Sequence, residues 1–445
     1  MDRQRTGNPT RASGYHSQLL HAMGQFLPRR GLPLLSDDAR VRWTDRLVVI
    51  NAILMTWMAA PTLRDAFEMA REVVVSMYRS RRRPGKTLSG FLQILGDKSL
   101  VLLERVVHGL RQSVRQVAGS LWRMDRWVLM AVDGSRTECP RTRANERAFG
   151  CAGRHKTGPQ QFITTVFHLA TGLIWDWRRG SGKEAERNHL RKMIASLPCG
   201  TLLLADAGFT GYDLLRSLRA AGHDFIVRVG KNVRLLRELG YAVQEHRQTV
   251  YLWPKAYHHQ EPLVLRLVEL GKGKRRVCLL TSVRSPTALP DKSVARLYRQ
   301  RWLVEVQFRS LKQTMAHRKM LSTTPNRAGM ELDWAMAGLW MLGLLAAGKA
   351  RRGQQGQWSA AGSLRVVRRA MRRPKARPPA GGLASELQRA CRDRYRRRGP
   401  KQARDWPRKK KESPPGCPRI RMASIAEVTE ARELPPWTVP RKVTA

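Results

Sequence analysis

Two short apolar runs, each cut off by an aspartate, constrain this chain more than anything else in it. Trp127–Val132 (WVLMAV) ends at Asp133-Gly134-Ser135, and Thr201–Ala205 (TLLLA) ends at Asp206-Ala207-Gly208-Phe209. Brief apolar runs bounded by turn residues read as strands buried on both faces, and such strands belong inside a sheet covered by helices. Gln161–Leu169 and Leu173–Arg179, joined by Thr171-Gly172, read as a hairpin. Glu184–Leu197 reads as a helix with the acidic first turn that the helix dipole favours, Tyr212–Ala221 as a second helix, and Asp224–Val229 as another strand. The predicted class is therefore α/β, with one antiparallel hairpin in the sheet. From about 233 to 283 the period is mostly two, over Thr249–Trp253, Leu263–Leu270 and Arg276–Ser282, which reads as a β-rich insertion.

The next informative stretch is YRQRWLVEVQFRSLK, Tyr298 to Lys312. Read as one helix, it carries Tyr298, Arg301, Glu305 and Lys312 within an arc of roughly 60°. Leu297, Val304, Phe308 and Leu311 form an apolar stripe beside them. A lone carboxylate between cations suits a place where a metal and nucleic-acid phosphates meet. A solvated face with an Arg301–Glu305 ion pair is the plainer reading of the helix taken alone. In the same way Asp133-Gly134 alone reads as a turn, and Asp206 alone as a helix N-cap. The three acids together read differently. Strand ends in an open α/β sheet are where functional groups gather. Asp133, Asp206 and Glu305 converging there would hold hard divalent cations through oxygen, as Mg²⁺ requires. Two such ions would clamp the attacking and leaving oxygens of a phosphodiester.

The spacing Y-x-x-R-x-x-x-E with a Lys seven residues on resembles the signature of bacterial insertion-sequence transposases of the IS-four type, which have a DDE active site. Asp133 in its D-G-S context and Asp206 in D-A-G-F match the family's two aspartates, and the resemblance covers about Trp127 to Leu345. It implies an RNase H-like catalytic core, which the predicted order of strands and helices also matches, with Asp133, Asp206 and Glu305 as catalytic and metal-holding residues. It implies two Mg²⁺ ions, with Mn²⁺ as a substitute. Tyr298 and Arg301 are then expected on the terminal phosphates of the transposon strands, Lys312 on the DNA backbone, and Arg228 on a phosphate. The β-rich insertion is implied to support strand opening and a hairpin intermediate. Some relatives hold a flipped base with a Trp in the strand before the signature helix. Here that strand, RRVCLLTS, has no aromatic; Trp253 on a neighbouring strand could stack on a base, with core packing as its plainer reading.

Composition bears on the partner. Of 445 residues, 83 are Lys or Arg and 34 Asp or Glu, a formal charge of +49. That excess calls for a polyanion. No basic amphipathic helix with an aromatic face stands out, so nucleic acid is expected and membrane is not. With a hydrophobic content of 42% the chain can bury a real core. The apolar run Trp334–Gly348 is too short for a membrane span and reads as a buried helix. Six scattered cysteines without a C-x-x-C pair suggest neither zinc nor disulfides and fit a reducing cytoplasm, and the N-terminus has no apolar signal-peptide core.

The expected organisation is a helical DNA-binding domain over 1–125, an RNase H-like catalytic domain over 126–350, and a basic C-terminal region over 351–445. The last includes the Pro-punctuated run GPKQARDWPRKKKESPPGCPR, read as a disordered nucleic-acid-binding tail. The expected activity is cut-and-paste transposition: binding terminal inverted repeats as a homodimer, cleaving at them, and transferring the 3′-OH ends to target DNA in the bacterial cytoplasm at the nucleoid. The alternatives are a catalytically inactive, domesticated DNA-binding protein and another RNase H-like nuclease.

Overall fold

The computed structural model describes residues 14–28, 30–32, 40–77, 84–151, 158–273, 276–350, 358–373, 380–390 and 416–435. Most of the run proposed as a basic tail lies outside the described residues. The chain divides into two compact units, each assembled from separated segments: 1–118, 138–145 and 309–393 in the first, and 119–137, 146–308 and 394–445 in the second.

The first unit is helical. Its helices include Asp45–Trp57, Leu63–Met77, the long Leu88–Ala118 and Pro325–Ala347. Thr44 caps Asp45–Trp57 by accepting from the Leu47 amide at 3.5 Å. Trp43, Phe67 and Phe91 meet as tilted rings 4.9–6.0 Å apart and anchor the core. Pro325–Ala347 is long and apolar enough to cross a membrane by length and composition, yet it is almost wholly enclosed by protein. The buried helix expected there is what forms. Two indole hydrogen bonds tie it to its neighbours: Trp57 Nε1 donates to the Gly338 carbonyl at 3.0 Å, and Trp334 Nε1 donates to Ser99 Oγ at 3.0 Å. A Cβ at Gly338 would lie 2.0 Å from Thr56 Oγ1, so glycine is what allows these helices to approach.

The second unit is built on strands β1 (Val128–Glu138), β2 (Gln160–His168), β3 (Leu173–Ser181), β4 (Thr201–Ala205), β5 (Asp224–Val229), β6 (Arg234–Arg237), β7 (Thr249–Leu252), β8 (Leu263–Leu270), β9 (Val277–Thr281) and β10 (Arg419–Met422). Among the described residues they form one ten-stranded sheet in the order β10-β6-β7-β8-β9-β5-β4-β1-β2-β3. β1 and β5 flank β4 and run parallel to it, β2 and β3 form the antiparallel hairpin, and β9 joins β5 antiparallel. The β-rich stretch therefore continues the same sheet beyond β5. Helices Glu186–Met193 and Tyr212–Ala220 provide the connections expected between strands.

Three local readings change. β1 does not stop before Asp133; it runs on through Asp133-Gly134-Ser135 to Glu138, although its register with β4 ends at Ala131–Leu204. Two strands were not foreseen. β6 and β10 are four-residue elements, and β10 pairs parallel with β6 from the far end of the chain, a partnership with no local signal. Finally, Tyr298–Lys312 is not one regular helix. Asp291–Gln300 ends in a tight turn at Arg301-Trp302, Leu303–Arg309 follows, and a π-helical turn Ser310–Thr314 contains Lys312. At the break the amides bond three residues back: Arg301 to Tyr298, Val304 to Arg301 and Glu305 to Trp302.

Candidate active site

β1 and β4 bring the two aspartates together. Ala131 pairs with Leu204 in parallel register, so Asp133 and Asp206, each two residues further on, leave adjacent strands at the same level. Asp206 follows the end of β4 and caps a 3₁₀ turn, Ala207–Phe209, accepting from the Ala207 amide at 2.7 Å. The Asp133 carboxylate accepts from the Gly134 amide at 2.8 Å.

The helical break supplies the cation between them. Arg301, its side chain only 11% exposed, places one guanidinium nitrogen 3.2 Å from Asp133 Oδ2 and the other 3.9 Å from Asp206 Oδ2. The plain alternative of an Arg301–Glu305 pair is not what forms. Tyr298, one turn earlier, donates its hydroxyl to Asp206 Oδ1 at 3.3 Å, and its ring lies 5.7 Å from the Arg301 guanidinium. The apolar stripe expected beside these groups is buried at Leu297, Val304, Phe308 and Leu311, and Phe308 sits edge-on to Phe167 of β2 with ring centroids 6.1 Å apart.

The electrostatics at Asp133 are those of an acid kept short of water. Burial pushes the Asp133 carboxyl above the usual carboxylate range, and the neighbouring Arg301 only partly offsets it. Burial and the Asp206 charge push the Tyr298 phenol up to about 12. Burial opposes the charge on Arg301, but Tyr298, Asp133 and Asp206 outweigh it and raise its pKa.

Glu305 stands apart from the aspartates. It is exposed, and its carboxylate accepts from the Trp302 indole N–H. Together with Arg228, Tyr298, Arg301 and Trp302 it lines an open cavity of about 780 Å³. The tightened turn separates the roles that one regular helix would have aligned: Arg301 and Tyr298 turn to the strand ends, and Glu305 faces the indole. Lys312 falls in the helical unit. Trp253 is 4% exposed, stacked on His258 at 3.9 Å, and donates its indole N–H to the carbonyls of Tyr257 and Gln260. It is a core residue with no face free for a base.

One acid was not singled out from the sequence. Glu186, at the start of helix Glu186–Met193, is raised above the usual range by burial and by the charges of Asp133 and Asp206. The signal that could have found it is the glycine after each aspartate, at 134 and 208. Among the described residues no three His, Cys, Asp or Glu side chains come close enough to enclose a metal ion. The donors at the strand ends are nonetheless all carboxylate oxygens, and a guanidinium already occupies the space between Asp133 and Asp206. That chemistry fits a hard divalent cation.

Residues 128–341 match the family described as the transposase DDE domain. The transposase InsG of insertion sequence element IS4, from Escherichia coli (strain K12), is 27% identical over 286 residues, which are 58% of this chain and 64% of that one. The chain thus spans a little less than two thirds of the length of this curated relative. A looser likeness, with TM-score 0.42 and 13% identity over 84% of this chain and 85% of the other, is to the piggyBac transposase in a synaptic complex with hairpin DNA.

Proposed function

We propose that this protein is a DNA transposase of a bacterial insertion sequence. It binds terminal inverted repeats, cleaves the phosphodiester at each end, and transfers the 3′-OH ends to target DNA. The observation that carries this reading is the convergence of Asp133 and Asp206, at one level on adjacent parallel strands, on Arg301 from a Y-x-x-R-x-x-x-E motif. The order β3-β2-β1-β4-β5, with β1, β4 and β5 parallel, supports an RNase H-like core. The helical first unit is proposed to bind the ends, and the basic stretches to add sequence-independent attraction for phosphate.

Asp133 and Asp206 would hold Mg²⁺, or Mn²⁺ in its place, with Glu305 as the third expected ligand. Bound there, the cation supplies Lewis-acid stabilisation of phosphoryl charge and an acidified water. The chain's own groups do the rest. Arg301 and Tyr298, which lie against the aspartates, are proposed to take the terminal phosphates of the transposon strands. Arg228 lines the adjoining cavity and is proposed as a further phosphate contact, with Lys312 on the DNA backbone. Pairing two ends calls for two copies of the chain, so a homodimer is proposed, acting in the cytoplasm at the nucleoid.

One observation favours a second reading. The Glu305 carboxylate is held by Trp302 rather than meeting the aspartates, as a DNA-binding protein without cleavage activity would allow. Both are tested with the full chain, a labelled duplex ending in the terminal repeat, and Mg²⁺. The expected result is cleavage and a joined strand-transfer product, with Asp133→Ala abolishing both while DNA binding persists. Cutting by Asp133→Ala would overturn the site. Binding by the unaltered chain with no cutting in Mg²⁺ or Mn²⁺ would establish the second reading.

A further inference from the structure

The glycines of the two aspartate motifs look onto the same side chain. A Cβ at Gly208 would lie 1.7 Å from Glu186 Oε1, and a Cβ at Gly134 would lie 2.4 Å from the Phe162 ring and 2.8 Å from Glu186 Oε2. These residues come from three different elements: Gly134 from β1, Gly208 from the 3₁₀ turn after β4, and Glu186 from the first position of a helix that follows the hairpin. One carboxyl group is thus wedged between the two backbones that carry Asp133 and Asp206, with one oxygen against each. No residue larger than glycine fits at 208 while Glu186 is in place, because nothing within 1.7 Å of a carbon can remain there unbonded.

The position is costly for an acid. Glu186 is partly buried, and the two aspartate charges work against its own ionisation, with Arg136 and Arg187 giving only partial relief. A chain needing only to fill this gap would do so with an amide or an apolar side chain at no electrostatic cost. Retaining a third acid beside two others makes physical sense if positive charge is to be gathered there. Glu305, the acid expected for that role, faces Trp302 instead.

We propose that Glu186 is a positioning residue of the acidic centre: wedged between the turns at Gly134 and Gly208, it sets the spacing of Asp133 and Asp206 and adds its charge to the field that draws a divalent cation to them. The proposal rests on the reading of Asp133 and Asp206 as cation-holding residues. It assigns Glu186 no contact with DNA.

The test is Mn²⁺ binding to the full chain without DNA, followed by electron paramagnetic resonance of free Mn²⁺, for the unaltered protein, Asp133→Ala, Glu186→Gln and Glu186→Ala. Glu186→Gln keeps the shape and removes the charge. It is expected to weaken Mn²⁺ binding about tenfold, the scale of losing a supporting partner of a metal site, with the thermal midpoint in chelator not lowered. Asp133→Ala is expected to weaken binding further. If Asp133→Ala loses Mn²⁺ while Glu186→Gln and Glu186→Ala bind it like the unaltered chain, the role of Glu186 is overturned and the aspartate site stands. If Asp133→Ala also binds normally, the aspartate reading itself fails. Should Glu186→Gln not fold, Gly208→Ala, whose methyl displaces the carboxylate, is expected to weaken Mn²⁺ to a similar extent. Unchanged binding by that folded variant would equally overturn the proposal.

Discussion

Arg301 reaches across 168 positions of sequence to place its guanidinium 3.2 Å from the Asp133 carboxylate. With the second nitrogen 3.9 Å from Asp206, this one side chain relieves the repulsion between two acids that the sheet forces to one level.

That relationship predicts the behaviour of Arg301→Ala. Removing the cation leaves two partly buried carboxylates facing each other, at a cost of about 2 kcal/mol. The melting temperature in chelator is expected to fall accordingly. Adding Mg²⁺ should restore part of the loss, because a ligand that binds only the folded state stabilises it by mass action. A variant that melts like the unaltered chain in chelator would show that the pair carries no such strain.

The raised pKa of Asp133 gives a pH prediction with a definite sign. A carboxyl whose folded pKa lies above its unfolded value favours folding when protonated, and that contribution is lost as pH rises through the folded pKa. Asp133→Asn removes the titration. In chelator it is therefore expected to be more stable than the unaltered chain at pH 7, and the gap should close as pH falls through the acid range. Denaturant melts across that range check it; a gap that widens at low pH would contradict the assignment.

Close packing of Glu186 against Gly208 predicts a coupled pair. Gly208→Ala alone overpacks the site and should cost about 1–3 kcal/mol. In a Glu186→Ala background the same methyl has room, so its cost should largely disappear. A double-mutant cycle by chemical denaturation measures the coupling, and additive effects would mean that the two residues do not touch in solution.

Trp253 separates core packing from base recognition. Its burial predicts that Trp253→Ala loses about 3–5 kcal/mol of stability. Under conditions where the variant remains folded, its affinity for single-stranded or opened DNA ends should match that of the unaltered chain. Fluorescence anisotropy with a labelled oligonucleotide decides this, and a selective loss of DNA affinity would return Trp253 to the binding surface.

The amino-acid sequence by itself determined the two central strands and the aspartates they deliver. WVLMAV and TLLLA are apolar throughout, and such segments belong in the middle of a covered sheet, so two strand ends carrying Asp133 and Asp206 were legible in the residues themselves. The apolar stripe from Leu297 to Leu311 likewise announced its burial, because helical periodicity is a local property. Only the tertiary structure decided which partner each charged group takes. An ideal helix aligns Arg301 with Glu305, but three-residue hydrogen bonds at Arg301-Trp302 turn Arg301 to the strand ends and Glu305 to the indole. Glu186 lay in the first turn of an ordinary-looking helix, and its place between Gly134 and Gly208 exists only once three separate elements have packed. The pairing of β10 with β6 was hidden for the same reason: hydrogen bonds between strands nearly two hundred residues apart leave no trace in local pattern, since backbone amides are the same at every residue.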